Sequence, residues 1–137
     1  MSVAQNFPYS QYIEEIWNRH NPEAAEHYYA ENITLHSAAP GFPTGIGLNH
    51  HKELLRGFFV TFPDLHLTIE DVITQDDKLV ARLVLEGTQQ GEFQEIAPTG
   101  KRVRVMDFTM YRIVAGKITD VWSLTDMLTL RQQLGAP

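Results

Sequence analysis

The chain has 137 residues, of which 43% are hydrophobic and 20% charged, with a formal net charge of −6 and no cysteine. A domain of this length buries enough surface to fold without disulfides, and the lack of cysteine excludes a thiolate zinc site and a cysteine nucleophile. The eleven Lys and Arg residues are scattered, which argues against a nucleic-acid partner. No apolar run approaches the ~20 residues that span a bilayer, and the N-terminus lacks a signal-peptide pattern. We therefore expect one cytoplasmic domain over residues 1–137, with no membrane partner.

The first third of the chain predicts two helices. Ile13, Ile16 and Trp17 share one face of a helix over 10–19, because residues three and four positions apart are neighbours on a helix. An Asn-Pro pair, which is typical of an N-cap followed by proline at the first helical position, begins a second helix over 21–30.

A third helix over 49–62 carries the clearest pattern. Five apolar residues recur there at spacings of three and four, namely Leu54, Leu55, Phe58, Phe59 and Phe62. A short strand ending near His36 and a loop rich in glycine and proline over 39–47 are predicted to precede this helix.

The second half predicts antiparallel strands and a final helix over 127–134 that ends before Gly135. The strands are expected at 65–70, 79–88, 101–114 and 117–124, with turns at Asp76-Asp77, Pro98-Thr99-Gly100 and Ala115-Gly116. Helices followed by a meander of strands indicate the α+β class. We expect a cone-shaped α+β barrel, in which the N-terminal helices pack on a strongly curved, mostly antiparallel sheet around a central pocket.

A set of short motifs runs in order over roughly residues 45 to 135. It comprises Phe62-Pro63-Asp64-Leu65, Gly87-Thr88, Gly91-Glu92-Phe93, Pro98-Thr99-Gly100-Lys101, Tyr111-Arg112, Gly116-Lys117-Ile118, Trp122 with Asp126, and Gln133-Leu134-Gly135. In order and spacing it resembles the SnoaL-like ester-cyclase and polyketide-cyclase family, within the nuclear transport factor 2-like superfamily.

The resemblance implies ring closure by an intramolecular aldol step without metal or cofactor. It also implies a general acid/base aspartate near the start of the last helix, and the matching position is Asp126. Two departures stand out. Gln89 replaces a histidine of many relatives, and apolar Met106, Phe108 and Met110 occupy the strand that carries a second titratable pocket group in the cyclases.

The alternation of residues along the last strand also makes Asp126 the candidate acid/base, independently of the family resemblance. It has the parity of Asp120, Trp122 and Leu124, so a strand continued to this point sends all four side chains to one face. If that face lines the pocket, desolvation raises the pKa of the Asp126 carboxyl and suits it to proton transfer. The alternative is that Asp126 is only the N-cap of the last helix.

Two further polar residues are candidates. His36 lies at the end of the first strand, where it either transfers protons or is a half-exposed strand-end histidine. Arg82 lies within a strand and either projects into the pocket as an anion anchor or faces solvent.

The predicted pocket wall combines aromatic residues and methionines: Trp17, Phe58, Met106, Phe108, Met110 and Trp122. The alternative is that several of them are ordinary core. His50 and His51 point about 100° apart on a helix, and no pair at i, i+4 with a nearby carboxylate completes a site, so we expect no metal. No cofactor is expected either, as the family resemblance implies. A phosphate-binding loop and a Gly-x-Ser-x-Gly elbow are both missing from the sequence.

Three functions are compatible with this pattern. The first is a cofactor-independent lyase or isomerase that acts by acid/base chemistry on a small hydrophobic carbonyl compound. The second is a non-catalytic protein that binds a hydrophobic small molecule in the same pocket. The third is a water-activating hydrolase, which needs a second polar group beside Asp126, and Asp107 is the acid nominated for it.

The long strands also predict a homodimer through the sheet face. They carry apolar residues at both parities, namely Val103, Val105, Tyr111 and Ile113 against Met106, Phe108 and Met110. A sheet that is apolar on both faces needs a cover on each, and a second subunit is expected to supply one of them.

Overall fold

The structure is a computed structural model that describes residues 3–37 and 42–136. The beginning of the predicted loop, residues 39–41, lies outside the described residues. Within the described ranges, no helix has both the length and the apolar character needed to cross a membrane.

The helices gather at the start, the middle and the end of the chain. They are a 3₁₀ turn at Ala4–Asn6, α1 at Tyr9–Tyr12 continuing into a π-helical stretch at Ile13–Asn18, a 3₁₀ helix at Pro22–His27, α2 at Leu48–Thr61 and α3 at Met127–Gln133. The predicted helix over 21–30 is therefore too long. It ends early because Tyr29 already pairs with Ile118 in the sheet, and this tertiary pairing overrides local helix propensity.

Six strands form one sheet in the order β2-β1-β6-β5-β4-β3. The strands are β1 at Tyr29–Ser37, β2 at Gly45–Ile46, β3 at His66–Gln75, β4 at Lys78–Thr88, β5 at Arg102–Val114 and β6 at Lys117–Thr125. Among the strand pairs of the described residues, β1–β6 alone is parallel. The expected α+β class with a curved, mostly antiparallel sheet is confirmed, although the sheet stays open instead of closing into a barrel. The two-residue strand β2 lies in the segment predicted as loop.

The hairpin between β5 and β6 sets the register of the central strands. Val114 faces Lys117 across a two-residue turn in which Ala115 and Gly116 have φ values of 51° and 78°. Positive φ at both turn positions is typical of the tight hairpin turn that matches strand twist. The pairing then slips by one residue between Arg112 and Ile113.

This slip reverses the direction of the side chains along β6. Ile118 is fully buried, yet Val121, which has the opposite parity, is also in the core. A one-residue shift moves every following side chain to the other face of a sheet. Trp122 and its even-numbered neighbours therefore point away from the core, and Ser123 lies on the inner face with Val121.

The core fills the space between the inner face of the sheet and the helices. Along β5, alternate residues are buried: Val103, Val105, Asp107, Thr109, Tyr111 and Ile113. The buried side chains form two hydrophobic clusters. Both clusters are in contact with Trp17, Phe59 and Leu85, which connect them into one core. The apolar stripe of α2 covers this face, as its spacing predicts, and leaves a cavity beside it.

Candidate active site

A cavity of ≈ 150 Å³ lies between α2 and the inner face of β4, β5 and β6. An apolar cavity of about this volume accepts a benzene-sized ring. Its wall is mainly aliphatic and aromatic, with Trp17, Leu54, Leu55, Phe58, Leu83 and Leu85 among the contributors. Polar groups reach it from β5 and β6, from the N-terminal helix and β1, and from the first turns of α2.

Asp107 is the buried carboxylate of this cavity, with 5% of its surface exposed. Thr109 Oγ1 donates a hydrogen bond to Asp107 Oδ1 at 2.5 Å. Thr125 Oγ1 donates to Oδ2 at 2.5 Å, and Ser123 Oγ lies 3.2 Å from the same oxygen. The two threonine contacts have the length of short hydrogen bonds to a carboxylate, and the serine contact is longer. The three hydroxyls therefore fix the orientation of a carboxylate that faces an apolar space.

Tyr12 and Tyr29 also line the cavity, and their hydroxyl groups meet. The hydroxyl oxygens of Tyr12 and Tyr29 are 2.5 Å apart, and Trp17 Nε1 donates to the Tyr12 hydroxyl over 3.0 Å. Trp17 follows Tyr12 by five positions, which is the spacing that π-helical backbone bonding brings together. Burial raises the pKa of the Tyr12 phenol to about 12 and that of Tyr29 well above its ordinary value. Both phenols therefore remain protonated at neutral pH and can donate hydrogen bonds.

His51 is the third polar element, on the first turns of α2. It is 7% exposed and lines the cavity, and its Nε2 has no hydrogen-bond partner. Its ring packs edge-to-face against Tyr29 with 4.4 Å between the ring centroids. Burial, with a smaller contribution from the neighbouring His50, lowers the pKa of His51 to about 4. The imidazole is therefore neutral at neutral pH.

Asp126, the predicted acid/base, is the N-cap of α3. Its Oδ1 accepts a hydrogen bond from the Thr129 backbone N–H at 3.1 Å, and the residue is exposed and outside the cavity lining. Hydrogen bonds from Thr129 lower the pKa of the Asp126 carboxyl, so the predicted rise in pKa is wrong. The contacts of Asp126 agree with the alternative interpretation, in which this residue is the N-cap of the last helix.

His36 and Arg82 make their contacts outside the cavity interior. His36 belongs to the residues that border the cavity, but its ring stacks on Trp122 at 4.5 Å and its Nε2 lies 2.8 Å from Asp120 Oδ1. Arg82 pairs with Asp71 and its side chain is 41% exposed, which matches the solvent-facing alternative.

The structure places the helical members of the predicted pocket wall at the cavity and the strand members away from it. Trp17 and Phe58 line the cavity, with ring centroids 6.0 Å apart. Four residues predicted from the strands lie on the outer face of the sheet instead: Met106, Phe108, Met110 and Trp122. Phe108 is 50% exposed.

A sequence signal for the correct face exists in β5. Arg102, Arg104 and Arg112 share the parity of Phe108, and charged residues at both ends of a strand indicate the solvent side. Asp107 has the opposite parity and therefore lies on the inner face. In the sequence it was a candidate only as the second polar group of the hydrolase alternative. His51, Tyr12 and Tyr29 were not predicted, because their roles depend on contacts between distant segments. Among residues 3–37 and 42–136, no three His, Asp or Glu side chains gather in a way that would hold a metal ion.

Comparisons with known proteins agree with this architecture. TsrD from Streptomyces laurentii is 26% identical, with 94% of this chain and 92% of that one aligned and a TM-score of 0.81. A SnoaL-like polyketide cyclase from Agrobacterium tumefaciens is 24% identical over 98% of this chain and 100% of its own, with a TM-score of 0.79. A protein from Catenulispora acidiphila with a ketosteroid isomerase-like fold is 20% identical over 96% of both chains, also with a TM-score of 0.79. The last two similarities concern the fold alone.

No curated protein matches the chain. The sequence profile of the SnoaL-like polyketide cyclase family matches residues 9–134, a range that contains the whole lining of the cavity. The resemblance to this family that the sequence motifs indicated is thereby confirmed. With its curved sheet, its helical cover and the buried carboxylate between them, the chain belongs to the SnoaL-like polyketide cyclase family.

Proposed function

We propose that the protein is a cofactor-independent acid/base catalyst of the cyclase or isomerase type, acting on a small, mostly apolar carbonyl compound. Asp107 is the proposed acid/base in place of Asp126. The observation that carries the proposal is a carboxylate with 5% exposure in the wall of a mainly apolar cavity, held in one orientation by three hydroxyls.

The proposed reaction begins with proton removal. The Asp107 carboxylate takes a proton from the carbon next to the substrate carbonyl, which leaves an enolate and a neutral carboxylic acid. The enolate carbon then either forms a bond to a second carbonyl carbon, which closes a ring, or takes the proton back at another position. In the ring closure, the alkoxide that forms receives the proton from Asp107, so the carboxylate is regenerated.

Two features of the cavity support these steps. Its aliphatic and aromatic lining limits access of water, and electrostatic interactions are stronger in such surroundings. The protonated Tyr12 hydroxyl lines the same cavity and is the proposed donor to the negative oxygen of the enolate.

Proton exchange at a simple ketone tests the proposal. Cyclohexanone in D₂O loses its α-protons to deuterium, and ¹H NMR measures the rate. We expect the wild-type protein to accelerate exchange and Asp107→Asn to lower the enzymatic rate by about 100-fold or more, as for the loss of a general base. Asp126→Asn is the matched control, since this carboxylate lies outside the cavity, and it should exchange like wild type. Equal rates for wild type and Asp107→Asn would contradict the role of Asp107.

A non-catalytic binding protein is the second candidate. Both Asp107 oxygens already accept hydrogen bonds from threonine hydroxyls, an arrangement that also suits a carboxylate with a purely structural role. This candidate predicts that cyclohexanone binds to wild type and Asp107→Asn with similar affinity and that neither protein accelerates exchange. The hydrolase prediction is not taken forward, because Asp126 does not share the cavity with Asp107.

A further inference from the structure

His51 presents a polar atom that nothing in the described chain satisfies. Its Nε2 is buried and has no hydrogen-bond partner, and it is the one side-chain nitrogen or oxygen in this state among residues 3–37 and 42–136. Buried polar atoms in folded proteins are nearly always hydrogen-bonded, since leaving one without a partner costs stability. An exception in the wall of a cavity points to a group that arrives with a ligand.

The surroundings of His51 hold the ring in place. Tyr29 packs against it edge-to-face, and the hydroxyl of Tyr29 is committed to a short hydrogen bond with Tyr12. Leu54 and Leu55, one turn further along α2, line the same cavity. The imidazole is therefore a rigid polar point in an otherwise apolar part of the wall.

We propose that His51 Nε2 binds a hydroxyl group of the substrate and selects for compounds that carry one on an apolar ring. This inference rests on the proposed function in one respect, since it adds a hydroxyl to the carbonyl compound on which Asp107 acts. The substrate class is then a small cyclic or aromatic hydroxy-carbonyl compound. Its carbonyl side faces Asp107 and its hydroxyl faces α2.

A hydroxyl suits this position better than a carbonyl. A neutral imidazole has one ring nitrogen that donates and one that accepts, and a hydroxyl can pair with Nε2 in either tautomer. A carbonyl oxygen pairs with Nε2 only when this nitrogen carries the proton. A substrate without the hydroxyl leaves Nε2 unpaired, which is the situation in which polar sites discriminate strongly.

Phenol and toluene are matched probes for this site. They have similar size, and the cavity of ≈ 150 Å³ is large enough for either ring. Calorimetric titration gives a Kd for each probe, and the ratio of the toluene Kd to the phenol Kd measures selection for the hydroxyl. We expect His51→Leu to lower this ratio by about tenfold, the effect of losing one buried hydrogen bond.

Two variants separate recognition from packing. His51→Gln places an amide at the same distance from Cβ as Nε2, so it should keep the ratio within about threefold of wild type. His50→Leu removes the adjacent exposed imidazole, which lies outside the cavity lining, and should also leave the ratio unchanged. An unchanged ratio in His51→Leu would overturn the proposal. Weakening of phenol and toluene binding by the same factor in all three variants would also overturn it.

The test is independent of turnover. Neither probe has a carbonyl, so the ratio does not depend on whether Asp107 catalyses a reaction, and failure of the exchange experiment leaves it untouched. A ratio that falls in Asp107→Asn but not in His51→Leu would place the hydroxyl at Asp107 and overturn the role of His51.

Discussion

The buried histidine makes the stability of the protein depend on pH in a calculable way. The pKa of His51 is about 4 in the folded protein, against 6.5 for an unperturbed histidine, because burial disfavours the charged ring. Since the folded-state value is the lower one, the unfolded chain binds the proton more readily. The neutral imidazole therefore stabilises the fold fully above pH 6.5, and this stability is lost as the pH falls towards 4.

The magnitude follows from the difference between the two pKa values. Each pH unit of difference corresponds to about 1.4 kcal/mol, so the whole effect is about 3 kcal/mol. At about pH 5, where the unfolded chain is protonated and the folded protein is mostly not, about 2 kcal/mol has been lost. This is a large fraction of a typical unfolding free energy of about 5–15 kcal/mol.

Urea denaturation at pH 7.5 and pH 5.0 measures the effect. We expect the unfolding free energy of wild type to fall by about 2 kcal/mol more than that of His51→Gln, since glutamine does not titrate. The other histidines and the carboxylates are common to both proteins, so their contributions cancel in this comparison.

His50→Gln provides the matched control on the same turn of α2. His50 is exposed, and its charge is the smaller cause of the lowered pKa of His51, while burial is the larger one, so His50→Gln should keep most of the pH dependence of wild type. If His51→Gln lost as much stability between the two pH values as wild type does, the reasoning from burial would be refuted.

Three further predictions concern the rest of the fold. Asp126→Ala should lower the Tm, because the Thr129 N–H loses its cap, while cyclohexanone exchange stays at the wild-type rate; a loss of exchange without a loss of Tm would restore Asp126 as the acid/base. Gln89→Leu should reduce the unfolding free energy by about 2–4 kcal/mol in urea titrations, because the fully buried amide of Gln89 bonds both the Thr99 backbone and hydroxyl and two carbonyls of its loop; a change below about 1 kcal/mol would contradict this bracing role. Light scattering should give twice the 15.6 kDa chain mass if a second subunit covers the outer face, and Phe108→Glu on that face should give the single-chain mass; a wild-type mass of 15.6 kDa would refute the dimer.

Local pattern in the sequence was sufficient for most of the elements. The apolar spacing of α2, the turn at Ala115-Gly116 and the cap at Asp126 are each visible within a few residues, because backbone conformation and nearest-neighbour side chains decide them. The family resemblance has the same basis, since its motifs lie mainly at turns and strand ends.

The tertiary structure decided how the faces of the sheet are used. In β5 the arginines that share the parity of Phe108 indicate the solvent side, but alternation alone does not show that the Asp107 side meets the helices around a cavity. On β6 the one-residue slip after Ile118 also reverses the parity that pointed to Trp122.

The polar groups of the cavity depend on the packing of distant segments. Asp107 is a candidate acid/base because Ser123 and Thr125 reach it across the sheet, and the neighbouring strand supplies these hydroxyls only in this register. His51 looks in the sequence like one of two adjacent surface histidines. Burial against Tyr29 makes its ring neutral, and burial is a property of the assembled core that a short stretch of sequence does not contain.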